Sequence, residues 1–86
     1  MAKDSRYFTI SVLRESGVVY YGDCTALFVP SEKETVVILA QHTPMIMKLG
    51  VGVVSIRGGS ESQELANIKS GLLYVGDNEA TVLIDL

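Results

Sequence analysis

Apolar and polar residues alternate with a period of two along much of this chain. Between Tyr7 and Leu13, the side chains of Phe8, Ile10 and Val12 fall on one side and those of Thr9 and Ser11 on the other. Successive side chains of an extended backbone point to opposite faces, so this pattern predicts a half-buried strand and not a helix. Short runs rich in Val, Ile, Leu, Thr and Tyr recur at Val18–Tyr21, Cys24–Val29, Val36–Leu39, Met45–Lys48, Val51–Arg57, Ser62–Lys69, Leu72–Val75 and Ala80–Asp85. Turn-forming residues separate them: Gly17, Gly22-Asp23, Pro30-Ser31, Pro44, Gly50, Gly58-Gly59, Gly71 and Asp77-Asn78. Such punctuation predicts an all-β fold, a two-sheet β-sandwich of about eight to ten short strands with no long helix. Asp77-Asn78 and Arg57-Gly58-Gly59-Ser60 read as hairpin turns, because these residues tolerate turn conformations. Ser60-Glu61-Ser62-Gln63 fits a helix capping box, and Leu65 with Ile68 would share a helical face. Two apolar contacts cannot anchor a helix, so a strand is expected there.

Composition agrees with a strand-rich core. Of 86 residues, 48% are hydrophobic, and 11 valines stand against five alanines. The length suits one domain, expected over residues 7–86 behind a flexible segment 1–6. Seven Lys+Arg against ten Asp+Glu leave a net charge of −3. No basic cluster is available to neutralise phosphates, so nucleic-acid binding is disfavoured. The longest apolar run, Val36 to Ala40, falls far short of the roughly 20 residues that span a bilayer, so no membrane insertion is expected. The opening Met1-Ala2-Lys3-Asp4-Ser5-Arg6 has no apolar stretch behind its charges, unlike a signal peptide. Cys24 is the single cysteine and has no partner for an internal disulfide. A soluble protein of a reducing compartment, monomeric when isolated, is the expectation.

Catalytic constellations are sparse. His42 is the single histidine and has no neighbouring ligands of the kind a zinc site needs. No Gly-x-Ser-x-Gly elbow occurs; Ile68-Lys69-Ser70-Gly71-Leu72 lacks the first glycine. Gly50-Val51-Gly52 begins like a dinucleotide fingerprint, but Val53-Val54-Ser55 follows and no helix does. Glu32 and Glu34 flank Lys33 without further carboxylates, which suits a solvated loop better than a calcium site. Cys24 reads as a small buried apolar residue. Met45 and Met47 share a face of their strand, as core filling or as an adaptable contact surface. No cofactor or metal is expected, and a binding or structural module remains. A small ligand- or carbohydrate-binding β-sandwich is the alternative, although the chain has no tryptophan, and Tyr20 and Tyr21 would face opposite ways.

Ile38-Leu39-Ala40-Gln41-His42-Thr43-Pro44-Met45-Ile46 carries a more specific signal. With its His-x-Pro loop between apolar strands, it resembles the amino-terminal β-sandwich domain of the ε subunit of F-type ATP synthases, the subunit called δ in mitochondria. The order of the surrounding motifs is similar too. Tyr20-Tyr21-Gly22, the acidic loop Ser31–Glu34, Gly52-Val53-Val54-Ser55-Ile56, Ser70-Gly71-Leu72-Leu73-Tyr74-Val75 and Val82-Leu83-Ile84-Asp85 follow in the family's sequence. The family pattern has glycines and a Pro-Gly before the histidine, where this chain has Glu34–Gln41 with neither. Members of the family also continue into a pair of C-terminal helices.

The resemblance implies a non-catalytic rotor subunit of the central stalk, docking on the γ shaft and the c-ring and coupling proton translocation to ATP synthesis. It implies a γ contact through Gln41, His42, Thr43, Pro44, Met45 and Met47. It implies a c-ring contact through Ser31, Glu32, Lys33, Glu34 and Thr35. It also implies a peripheral location in the F1 complex, on the cytoplasmic face of a bacterial inner membrane or on a thylakoid or mitochondrial inner membrane. By their residue types alone, His42 fits equally a satisfied loop histidine, and Glu32 and Glu34 fit simple solubility.

Overall fold

The computed structural model of the chain describes residues 5–85. Among them run nine strands: β1 (Phe8–Arg14), β2 (Gly17–Cys24), β3 (Ala26–Pro30), β4 (Thr35–Leu39), β5 (Met45–Leu49), β6 (Gly52–Gly58), β7 (Glu61–Ile68), β8 (Gly71–Gly76) and β9 (Glu79–Ile84). They form a five-stranded sheet ordered β2-β1-β9-β8-β5 and a four-stranded sheet ordered β4-β3-β6-β7. Of the N-terminal segment 1–6, residues 1–4 lie outside the described residues, as does Leu86; Ser5 and Arg6 are exposed ahead of β1.

The period-two pattern places the core. Phe8, Ile10 and Val12 of β1, Leu73 and Val75 of β8, and Ala80, Val82 and Ile84 of β9 point inward from the larger sheet. Leu27, Val29, Ile38, Val54, Ile56 and Ile68 meet them from the smaller one, in one buried cluster. Burying one such aliphatic side chain is worth about 1.5–3 kcal/mol, and with all of them on the inner faces the two sheets hold each other. The segment Glu61–Ile68 is a strand and not a helix, as expected, paired with β6 through a bulge opposite Val54/Ser55.

One boundary differs from the expectation. Gly22-Asp23 makes no turn: β2 continues through both to Cys24, with Gly22 opposite Ile10. Gly22 is tolerated in mid-strand because the Tyr20 ring lies across it, its hydroxyl 2.9 Å from where a Cβ would sit. The corner comes at Thr25, whose amide and hydroxyl both donate to the Arg57 carbonyl, at 2.7 and 2.9 Å. There the chain crosses from the larger sheet to the smaller, so that the run Cys24–Val29 belongs to two strands. A further long-range feature is that β1 and β9 lie side by side in parallel, Thr9 opposite Glu79 through Leu13 opposite Leu83.

Candidate functional site

The two loops marked in the sequence sit at opposite ends of β4. Ser31–Glu34 precede that strand and Ala40–Pro44 follow it, so its five residues put about 17 Å between them. Antiparallel pairing sorts the remaining turns. Gly50-Val51, Lys69-Ser70 and Asp85 join the acidic loop at one end, while Tyr7, Thr25, Gly59 and Asp77-Asn78 join the His-Pro loop at the other.

Ser31 builds the acidic loop. Its hydroxyl oxygen accepts the amides of Lys33 and Glu34, at 3.3 and 3.1 Å, and its own hydroxyl and amide donate to the Glu34 carbonyl, at 2.6 and 2.9 Å. A serine side chain completing a turn in this way leaves the intervening side chains free to point outward. Glu32, Lys33, Glu34 and Thr35 are exposed accordingly, and Ser31 is half-buried. The Gly50 amide donates to the Pro30 carbonyl at 2.9 Å, which brings the neighbouring Val51, 77% exposed, to the same end. The apolar run in the sequence predicts a strand from Val51, but β6 begins one residue later at Gly52 and leaves Val51 in the turn.

At the far end, Gln41 adopts a left-handed backbone with φ 63°. The Gln41 amide donates to Asn78 Oδ1 at 3.2 Å. Asn78, itself at φ 51°, donates its Nδ2 to the Tyr7 carbonyl at 3.2 Å. His42 Nδ1 lies 2.6 Å from the Thr43 carbonyl, so its proton sits on Nδ1 and the ring is held against its own loop. Gln41, Thr43 and Pro44 are exposed and His42 is half-buried. Tyr7, Thr9, Asp23, Gln41 and Asn78 line an open groove of about 460 Å³ at this end.

Met45 and Met47 face inward, half-buried against the core, and the residue presented to solvent between them is Ile46, 72% exposed. Ile46 begins the feature that sequence reasoning missed. Across the outer face of the larger sheet, Ile46 stands opposite Tyr74, Tyr74 opposite Thr81, Thr81 beside Ser11 and Ser11 opposite Tyr21. A second row runs from Lys48 through Leu72, Leu83 and Leu13 to Val18. Tyr74 is 50% exposed, Tyr21 70% and Val18 67%. These two rows contain one charged side chain, Lys48, at their edge. Thr81 and Ser11 interrupt the first row, and Leu72, Leu83 and Leu13 make the second one apolar, so exposed apolar side chains cluster on this face more than single scattered ones do. The smaller sheet's outer face is mixed: Val37 and Leu39 of β4 are exposed there, while Arg57 lies over the Phe28 ring at 5.5 Å, beside Ser55 and Glu64. The signal for the apolar face was present as exposed-parity residues of five strands, but it needed strand order to become a surface.

No group of three or more His, Cys, Asp or Glu side chains able to hold a metal occurs among the described residues. Cys24 is fully buried, and burial pushes its thiol up from 9.0 to about 11, with a lesser contribution from the nearby Asp23 carboxylate and an opposing hydrogen bond from the Ala26 backbone.

The β-sandwich domain model of the ATP synthase delta/epsilon chain matches residues 7–86. The ATP synthase epsilon chain of Leptospira borgpetersenii serovar Hardjo-bovis is 32% identical over 76 residues, covering 88% of this chain and 59% of its own length. That of Synechocystis sp. is 31% identical over 77 residues, covering 90% and 56%. The chain thus spans less than two thirds of the length of these curated relatives. Among solved structures, a chain of the Euglena gracilis mitochondrial ATP synthase, from its OSCP/F1/c-ring assembly, matches with a TM-score of 0.83 at 14% identity, covering 96% of this chain and 53% of that one. A chain of the Tetrahymena thermophila mitochondrial ATP synthase central stalk/c-ring matches at 0.70 and 15% identity, covering 98% and 66%. At those identities the likeness is one of fold.

Proposed function

Because the chain belongs to the β-sandwich family of ATP synthase delta/epsilon chains, we propose that it works as a non-catalytic central-stalk subunit, docking on the γ shaft and on the c-ring. The γ contact is the outer face of the larger sheet together with Gln41, His42, Thr43 and Pro44. Met45 and Met47 support that edge from beneath. The c-ring contact is Ser31, Glu32, Lys33, Glu34 and Thr35, with Val51 beside them. The demand on such a body is mechanical, since it turns with the shaft and transmits torque between ring and head. A sandwich packed at crystal-like density transmits strain instead of absorbing it. In this role it sits peripherally on an energy-coupling membrane and needs no cofactor.

The observation that carries this reading is the outer face of the larger sheet, where Leu72, Leu83 and Leu13 link Ile46 and Tyr74 at one edge to Val18 and Tyr21 at the other, and which adjoins the His-Pro loop at its β5 edge. The test is calorimetric titration of the chain with the γ subunit from the same source. A one-to-one complex is expected for the wild-type chain. Ile46→Glu, whose side chain faces solvent, is expected to weaken it about tenfold or more with an unchanged melting temperature, as for a buried interface anchor. Wild-type binding that Ile46→Glu and Tyr74→Glu leave untouched would remove this face from the interface, and no binding to folded γ would remove the rotor role.

A further inference from the structure

Asn78 belongs to the β8–β9 turn, yet its side chain bonds two segments far away in sequence. Its Oδ1 accepts the Gln41 amide and its Nδ2 donates to the Tyr7 carbonyl, both at 3.2 Å. Its own carbonyl accepts the Thr9 amide at 3.3 Å. One residue thereby ties the start of β1, the β8–β9 turn and the loop after β4. The chemistry of the tie selects the side chain. One partner is a donor and the other an acceptor, which a carboxamide satisfies at once and a carboxylate does not, since a second oxygen would face the Tyr7 carbonyl. The turn position needs a residue that accepts φ 51°, which asparagine tolerates. Gln41, at φ 63°, has no such tolerance: a left-handed conformation is strained for a residue with a Cβ, and it persists where surrounding structure over-determines it.

From this geometry we infer that Asn78 is a positioning residue for the docking loop: it holds Gln41 left-handed, so that His42, Thr43 and Pro44 are presented in one conformation before the shaft arrives. The inference rests on the rotor reading for its docking arm and on the isolated chain alone for its ordering arm. In this reading Asn78 acts through Gln41. Its effect on affinity comes from the fraction of molecules whose loop is already in the competent state, because apparent affinity falls in proportion to that fraction.

The experiment uses the wild-type chain, Asn78→Gly, which keeps the left-handed turn and loses both side-chain bonds, and Asn78→Asp, which keeps an acceptor for Gln41. Residue-resolved hydrogen exchange of the Gln41 amide is measured on each chain alone, and γ binding is measured by calorimetry. Losing one ordinary hydrogen bond corresponds to roughly a fivefold effect, so Asn78→Gly is expected to exchange at Gln41 about fivefold faster and to bind γ about fivefold more weakly. Core amides such as those of Val12 and Val82 should stay protected. Asn78→Asp is expected to recover part of the Gln41 protection, which a general loss of stability would not produce. Equal exchange at Gln41 in wild type and Asn78→Gly overturns the ordering role. Faster exchange with unchanged affinity overturns the docking role. A wild-type chain that fails to bind γ overturns the rotor reading itself, and is told apart because Asn78 is then intact.

Discussion

At the residue scale, Cys24 is a group whose ionisation the fold clearly shifts. It closes β2 opposite Phe8, out of contact with solvent. In the unfolded chain its thiol ionises near 9.0, whereas in the folded chain it stays protonated until about pH 11. The folded state therefore binds the proton more tightly than the unfolded one. The stabilisation linked to that proton is complete below pH 9.0 and disappears as pH rises toward about 11. Urea unfolding of the wild-type chain should thus lose more stability across that window than unfolding of Cys24→Ala, with the remaining titrating groups common to both. Identical slopes for the two chains would show that the thiol ionises as easily inside as outside. Ser31 and Met47 show residue type and environment acting together. Ser31 is a turn-builder because its hydroxyl meets two amides of its own loop. Met47, apolar on an apolar strand, packs on the core because β5 pairs with β8 in the register that puts Met47 opposite Leu73.

At the element scale, close approaches decide which positions admit no side chain. Gly71 opens β8 between Leu49 and Ile84, and a Cβ there would lie 2.5 Å from the Leu83 carbonyl oxygen. That oxygen belongs to the backbone of β9 and cannot move without disturbing the ladder. Gly71→Ala is expected to destabilise the chain by about 1–3 kcal/mol, the usual cost of forced overpacking, read as a lower denaturation midpoint. An unchanged midpoint would mean that β8 and β9 have slack. Gly52 is a second such position, at φ 156° with a Cβ site 2.6 Å from Pro30 Cβ. Together with Gly71 it accounts physically for two of the glycines by which the chain resembles its family. The β2 strand shows the opposite case, a mid-strand glycine stabilised by the tyrosine two residues earlier.

At the scale of the whole molecule, the sandwich is a two-ended body with one apolar flank. The acidic loop with Val51 and the His-Pro loop with Asn78 are held apart by the length of β4. Substitutions at separated, independent sites add. Glu32→Lys with Glu34→Lys is therefore expected to leave γ affinity within about twofold of wild type, while Ile46→Glu lowers it, and the triple variant should equal Ile46→Glu alone. The charge reversals should instead show in how the γ-bound chain associates with c-ring in detergent, and in the salt dependence of that step. Loss of γ affinity in the charge-reversed chain would show that the two ends are one interface.

Much of the fold was legible in the residues. A period of two assigns each side chain of a strand to a face, because the extended backbone leaves no other choice, and Phe8, Ile10 and Val12 turned inward as their spacing requires. The hairpin at Asp77-Asn78, the turn at Gly58-Gly59 and the strand at Glu61–Ile68 followed from local conformational preference. The acidic loop and the His-Pro loop could both be placed between strands by the same means. Local preference could not decide which strands become neighbours. The parallel pairing of β1 with β9, the corner at Thr25 and the partnership of β5 with β8 join segments far apart in the chain, and short windows of sequence carry no record of such pairings. The same limit hid the apolar face, since Ile46, Tyr74, Tyr21 and Val18 are ordinary singly and form a surface only through strand order. It also hid Asn78, whose turn was evident from its residue type. Its hold on Gln41, 37 residues earlier, arose only when the two sheets closed and brought one end of each together.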